Sequence, residues 1–167
     1  MRRLLLVFTT LVLGGCLGGT TEVTDTPSDP ATETFASSLN INIAQMQKTA
    51  NGVYYKDVTV GTGATLTSTS GIPLTTPKNI TIAYNGFLKN GALFDTSSDL
   101  TGQTATFDLS GAVVGFQDGM LGMNIGGERV MVIPSGLAYG PATVTGRFGT
   151  IPPNSTLVFD VKLVDLP

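Results

Sequence analysis

Five aromatic side chains, Tyr84, Phe94, Phe116, Tyr139 and Phe159, lie on five separate stretches of the chain. Each one alone reads as an ordinary core residue. The constellation says more than its members, and the hydroxyl of Tyr139 is able to donate a hydrogen bond. Acid–base and metal chemistry have little to work with. The chain has no His, which removes the commonest general base and the commonest metal ligand together. Its acidic residues are scattered, so no metal cluster and no cofactor are expected. No Ser sits in a GxSxG elbow. Gly61-Thr62-Gly63 and the spaced glycines Gly115, Gly119 and Gly122 lack the strand–glycine–helix setting of a nucleotide loop.

The elements that must position these aromatics follow from hydrophobic period. Leu157, Phe159, Val161 and Leu163 alternate with Val158, Asp160, Lys162 and Val164, which predicts a closing strand with one dry face. Pro152-Pro153 stops whatever precedes it. Val53–Val60 and Asn79–Leu88 also read as strands, the second with Ile80, Ile82 and Tyr84 facing one way. Lys89-Asn90-Gly91 fits a hairpin turn, since Asn-Gly supplies positive φ cheaply. Thr104–Leu109 and Glu128–Ile133 are shorter strands. Val113, Phe116, Met120 and Met123 recur at helical spacing, so one helix is expected over Val113–Met123. Ser135–Thr150 is a long Gly-rich loop. The sum is an α+β domain: an antiparallel sheet of about five strands curved around one short helix.

Hydrophobic residues make up 41% of the 167 residues and charged residues only 13%, enough to bury a core. The net charge is −3, and without Arg2 and Arg3 seven basic residues face twelve acidic ones, a net −5. A basic nucleic-acid face is therefore excluded.

The first 38 residues read as targeting and tether. Met1-Arg2-Arg3 is positive, and Leu4–Leu13 is apolar but too short to span a bilayer. Leu13-Gly14-Gly15-Cys16 resembles the lipobox of bacterial lipoproteins, and Cys16 is the only cysteine in the chain. The resemblance implies a signal peptide over residues 1–15, a lipidated Cys16, and attachment to the bacterial cell envelope. With Leu17 next to the cysteine, it implies the outer membrane, facing the periplasm. Residues 16–38 are rich in Thr, Ser, Pro and acids and are expected to be a disordered tether. As a coil of roughly 25 residues it would reach about 25–30 Å. An N-terminal extension, 39–52, then leads into the domain, 53–167, which is expected to be a monomer.

YNGFLKNGALFDTS, FDLSGAVVGFQDGMLGMNIGGERVMVIPSGLAYG and IPPNSTLVFDVKL occur in this order. They resemble successive segments of the FKBP-type peptidyl-prolyl isomerases, across most of residues 53–167. By matched position the resemblance implies a pocket of Tyr84, Phe94, Asp95, Val113, Phe116, Tyr139, Ile151 and Phe159. Several positions depart from the family. Ala112 precedes Val113 where Val-Ile is usual, and Phe116 replaces the tryptophan that floors the pocket. Leu100 stands where some members carry an arginine, and Ala105 where some have another aromatic wall. The loop Pro141–Thr150 is a little long. These changes predict an apolar but wider, shallower-walled pocket. The implied reaction is rotation of X–Pro amides in proline-containing polypeptides of the envelope, with macrolide immunophilin ligands as further candidate occupants. Tyr139 and the Ile151 backbone N–H would donate to substrate carbonyls, with Asp95 and Phe94 beside them. Two other readings stand: a non-catalytic proline-peptide receptor or chaperone on the same groove, and an envelope assembly protein for which the fold is a scaffold.

Overall fold

The computed structural model describes residues 29–68, 71–76, 78–97 and 103–167. The leader, Cys16, the tether up to residue 28, and Leu100 lie outside the described residues. Among the described residues nine strands and one α-helix follow in chain order: β1 (Gln47–Lys48), β2 (Tyr54–Thr59), β3 (Asn79–Leu88), β4 (Leu93–Thr96), β5 (Ala105–Asp108), α1 (Val114–Met120), β6 (Glu128–Ile133), β7 (Val144–Thr145), β8 (Thr150–Ile151) and β9 (Leu157–Asp165). The main sheet is antiparallel with order β1-β2-β6-β9-β3-β4, and β5 also pairs with β3. Strands β7 and β8 form a separate hairpin. The sheet is thus larger than the five strands expected, mainly because β3 serves three partners. Its first half, Asn79–Ile82, pairs with β5, while Asn85–Phe87 pair with β4 and the other edge runs along β9.

The core lies between α1 and the concave face of the sheet. Ile80, Ile82, Leu109, Met120, Met131, Ile133, Leu157 and Leu163 are fully buried there. Helix and sheet approach closely because Gly115 faces β6: a Cβ at that position would run into Ile133 and Leu137. The helix is shorter than its sequence period predicts. The chain turns out of it at Leu121, and Gly122 adopts a positive φ of 79°. Met123 still reaches the core, now from the turn.

Arg129 closes that helix end. Its Nη1 donates to the carbonyls of Gly119 (2.8 Å) and Leu121 (3.0 Å), which no helical N–H reaches. Its Nε and Nη2 donate to the two carboxylate oxygens of Asp57 (2.6 and 3.2 Å). The guanidinium also lies 4.3 Å from the Tyr55 ring centroid.

Residues 29–38, expected within the tether, instead lie against the convex face of the sheet. Asp29 accepts from the Tyr54 hydroxyl (3.3 Å), and Ala36 N–H donates to Lys89 O (2.8 Å). Glu33 accepts from the Thr156 hydroxyl (2.8 Å) and lies 3.4 Å from Lys89 Nζ. Phe35, Leu39, Ile41, Ile43 and Met46 cover Tyr54, Val132 and Val158. Val158 is therefore as dry as its neighbours, and β9 is apolar on both faces over Leu157–Phe159. A polar composition concealed this, because the few apolar residues of the segment land on one patch.

Candidate active site

Strand register builds the pocket. Phe159 on β9 stands opposite Gly86 on β3, and Gly86 stands opposite Asp95 on β4. Only glycine fits between them, since a Cβ at Gly86 would lie 2.8 Å from the Phe94 ring and 2.9 Å from the Phe159 ring. The Phe159 ring fills that space. It meets Phe116 edge-on at 5.0 Å between centroids, Phe94 edge-on at 5.6 Å, and Tyr84 at 6.3 Å. Tyr84, two residues before Gly86 on the same face, meets Phe116 edge-on at 6.5 Å. The rings of Tyr84, Phe116 and Phe159, with Asp95, Phe107, Gly111, Ala112, Val113 and Tyr139, line a cavity of about 260 Å³.

Of the residues the sequence nominates, Tyr84, Asp95, Val113, Phe116, Tyr139 and Phe159 all line this cavity. Phe94 and Ile151 do not: both are buried behind it, Phe94 against Phe159 and Ile151 paired with Val144 in the β7–β8 hairpin. Phe107 was missed. It sits two residues after Ala105 on the same face of β5, with its ring 6.4 Å from Phe116. The wall that Ala105 leaves thin is thus supplied by Phe107, and the pocket is deeper on that side than the sequence predicts. The same-face spacing of the two positions was the available signal.

Gln117 fixes the floor. It is buried, and its Oε1 accepts from Leu74 N–H (2.8 Å). Its Nε2 donates to the carbonyls of Ala112 (2.7 Å) and Ser110 (3.2 Å). One amide therefore ties helix, loop and pocket floor together. Asp108 holds the same turn from outside: its carboxylate accepts from the N–H groups of Lys78 and Ser110 and from the Ser110 hydroxyl, which holds its carboxyl below the usual range.

The polar groups of the pocket divide into one closed pair and one open donor. Tyr84 Oη donates to Asp95 Oδ2 (2.9 Å), and Asp95 Oδ1 accepts from Thr96 N–H (2.9 Å). The backbone of Tyr84 is locked in turn, with its N–H donating to Ser97 Oγ (2.9 Å) and its carbonyl accepting from Ser97 N–H and Thr96 Oγ1 (both 3.0 Å). Burial, then the hydrogen bond to Asp95, pushes the Tyr84 hydroxyl well above the ordinary tyrosine range. Tyr139 is pushed up by burial and by the Asp95 charge, yet it is 37% exposed at the mouth. Among the described residues none accepts from its hydroxyl. No group of three potential metal ligands occurs among the described residues. The arrangement can hold a small apolar ring, exclude water around it, and offer one phenolic donor to a carbonyl at its rim.

Residues 73–164 match a family described as FKBP-type peptidyl-prolyl cis-trans isomerase. The chain is 41% identical over 88 residues to an FK506-binding protein of Neisseria meningitidis, covering 52% of this chain and 78% of that one. It is 36% identical over 119 residues to FK506-binding protein 4 of Chaetomium thermophilum, covering 71% of this chain but only 22% of the fungal protein, so it spans under a quarter of that relative's length. The fold is similar to the crystal structure of FkpA from Escherichia coli, with a TM-score of 0.60 and 36% identity, covering 72% of this chain and 51% of that one. The match takes in every pocket residue described above, and on that ground the chain belongs to the family of FKBP-type peptidyl-prolyl cis-trans isomerases.

Proposed function

We propose that the aromatic pocket catalyses cis–trans rotation of X–Pro amides in extended polypeptides. The observation that carries this reading is the pairing of Tyr84 with Asp95, which leaves Tyr139 as the uncommitted donor at the mouth of an otherwise apolar cavity. Rotation about a peptide C–N bond is slow because resonance gives it partial double-bond character, with a barrier of about 18–20 kcal/mol. No nucleophile or proton carrier is required. The planar amide has the larger dipole and is the form water solvates better. Moving it into a dry slot therefore costs the planar form more than the twisted one. The Phe116, Phe159 and Phe107 rings would hold the proline ring, and Tyr139 would hold the preceding carbonyl as the amide turns. The Ile151 N–H, which the family resemblance implies as a second donor, has no part in this reading, because Ile151 is buried behind the cavity and paired with Val144.

A protease-free isomerisation assay on short X–Pro peptides tests the reading. Rates clearly above the uncatalysed rate are expected. A folded but inactive protein would overturn it in favour of a proline-peptide receptor. That alternative draws on the same pocket, and its support lies in Phe116 where the family has tryptophan; Phe107 removes the other thin wall.

We extend the proposal in two directions. The Neisseria relative is named for FK506, and the same slot is proposed to accept macrolides of that kind, more weakly for lack of the indole floor. Cys16, following Leu13-Gly14-Gly15, is proposed to be lipidated, placing the domain at a bacterial membrane surface where envelope proteins are its substrates. No helix among the described residues is long and apolar enough to cross a membrane. Mass analysis of the N-terminal peptide checks the anchor: an acylated Cys16 is expected, and Cys16→Ser should release the protein from the membrane fraction.

A further inference from the structure

We propose that Arg147 and Phe148, at the tip of the β7–β8 hairpin, form a second contact for the polypeptide held in the pocket, and that Arg147 selects an acidic side chain beside the proline. The inference rests on the reading of the pocket as an X–Pro site.

The hairpin tip is built and docked. Gly146 N–H donates to Gly149 O (2.8 Å), closing the turn. Phe148 N–H donates to Phe94 O (3.0 Å), and Arg147 Nη1 donates to Thr96 O (3.5 Å). Phe94 and Thr96 are the two neighbours of Asp95, so the tip brackets the acidic corner of the pocket. The fit is close: a Cβ at Gly146 would lie 2.7 Å from Phe94 O. The charge of Arg147 is felt in the pocket, where it opposes the upward push on the Tyr84 hydroxyl.

What the tip presents is a cation on an aromatic plate. The guanidinium lies 5.4 Å from the Phe148 ring, and that ring is 48% exposed. The backbone bond from Phe148 to Phe94 puts this plate one residue from Asp95, a member of the pocket lining. Among the described residues no carboxylate lies within ion-pair distance of Arg147, whereas Arg129, Lys89 and Lys162 are each paired. Asp95 lies outside ion-pair distance of it and accepts instead from Tyr84 and Thr96. In a chain of net charge −3 this is not part of a general basic face. The chemistry that fits is a peptide carboxylate, which a guanidinium can receive on two N–H groups, with the stem of the same peptide lying on Phe148.

Peptides carrying Glu, Gln or Lys on either side of the proline test this. The wild-type protein should process the Glu peptide faster than the Lys peptide by about 2- to 5-fold at low salt, the scale of an exposed ion pair. The ratio should shrink in about 0.5 M salt. It should collapse toward one in Arg147→Gln and invert in Arg147→Glu. Equal rates for the three peptides at both positions would overturn the proposal. So would variants that slow all three peptides by the same factor, because Arg147 would then act through Asp95 and not on the peptide. If no peptide is isomerised at all, the isomerase reading falls, and the same panel with a fluorescein label is read by anisotropy. There, tighter binding of the Glu peptide that depends on Arg147 supports the inference, and equal binding overturns it.

Discussion

The Tyr84 hydroxyl donates to Asp95 across 2.9 Å, and this bond decides which phenol of the pocket remains free. It also has a signature in alkali. The folded-state pKa of Tyr84 is raised, while an unfolded tyrosine titrates near 10. Between those values the unfolded chain has lost the proton that the folded chain keeps. Stability is therefore full below about pH 10 and falls as pH rises through the alkaline range. Urea midpoints measured from pH 9 to 12 should decline, and the decline should be shallower in Tyr84→Phe. Parallel curves for the two proteins would remove this account.

Tyr139→Phe keeps the ring and removes the free donor. Stability should change little, because the hydroxyl has no partner among the described residues and the side chain is 37% exposed. If that hydroxyl bonds the carbonyl only as the amide twists, its loss costs about 1–2 kcal/mol, or roughly 5- to 30-fold in kcat/KM. An unchanged rate would leave the pocket assignment standing and remove Tyr139 as the donor.

Phe116→Trp adds volume to a cavity of about 260 Å³ that Phe116 itself lines. The indole should deepen contact with a bound proline ring and lower the Kd for prolyl peptides and macrolides. Equilibrium unfolding sets the limit on this prediction: overpacking against Phe159, 5.0 Å away, would show as a loss of about 1–3 kcal/mol.

The convex-face segment should carry measurable stability. A chain beginning at Asp29 should unfold at higher urea than one beginning at Leu39. Removing Phe35, Pro30 and the Glu33 bonds re-exposes Val158 and Val132, an effect of about 1–3 kcal/mol. Equal midpoints for the two chains would mean the segment adds nothing to the sheet.

Much of the site was legible because its members obey simple periods. Tyr84 and Phe159 lie on strands of period two, and Phe116 repeats with Met120 at helical spacing. What escaped was carried by tertiary contacts that no local pattern records. Arg129 reads as one more charge on a strand, yet it is buried and closes the helix by bonding carbonyls eight and ten residues back. Gln117, a polar residue within the predicted helix, is only 2% exposed. Phe107 shares a strand face with Ala105, and Val158 lies on the face of β9 that the N-terminal segment covers. Val158 is covered by a segment more than a hundred residues away, whereas Arg129, Gln117 and Phe107 meet partners within about ten residues that only the folded turn brings round.

The central place of β9, between β6 and β3, has a consequence for synthesis. Strand β9, which follows every other described strand in chain order, carries the ring on which Phe94, Phe116 and Tyr84 converge. A chain halted before residue 157 has neither the middle of its sheet nor the centre of its pocket. By the same linkage, a ligand that occupies the finished slot grips the whole domain, and its occupancy can be read as a rise in global melting temperature.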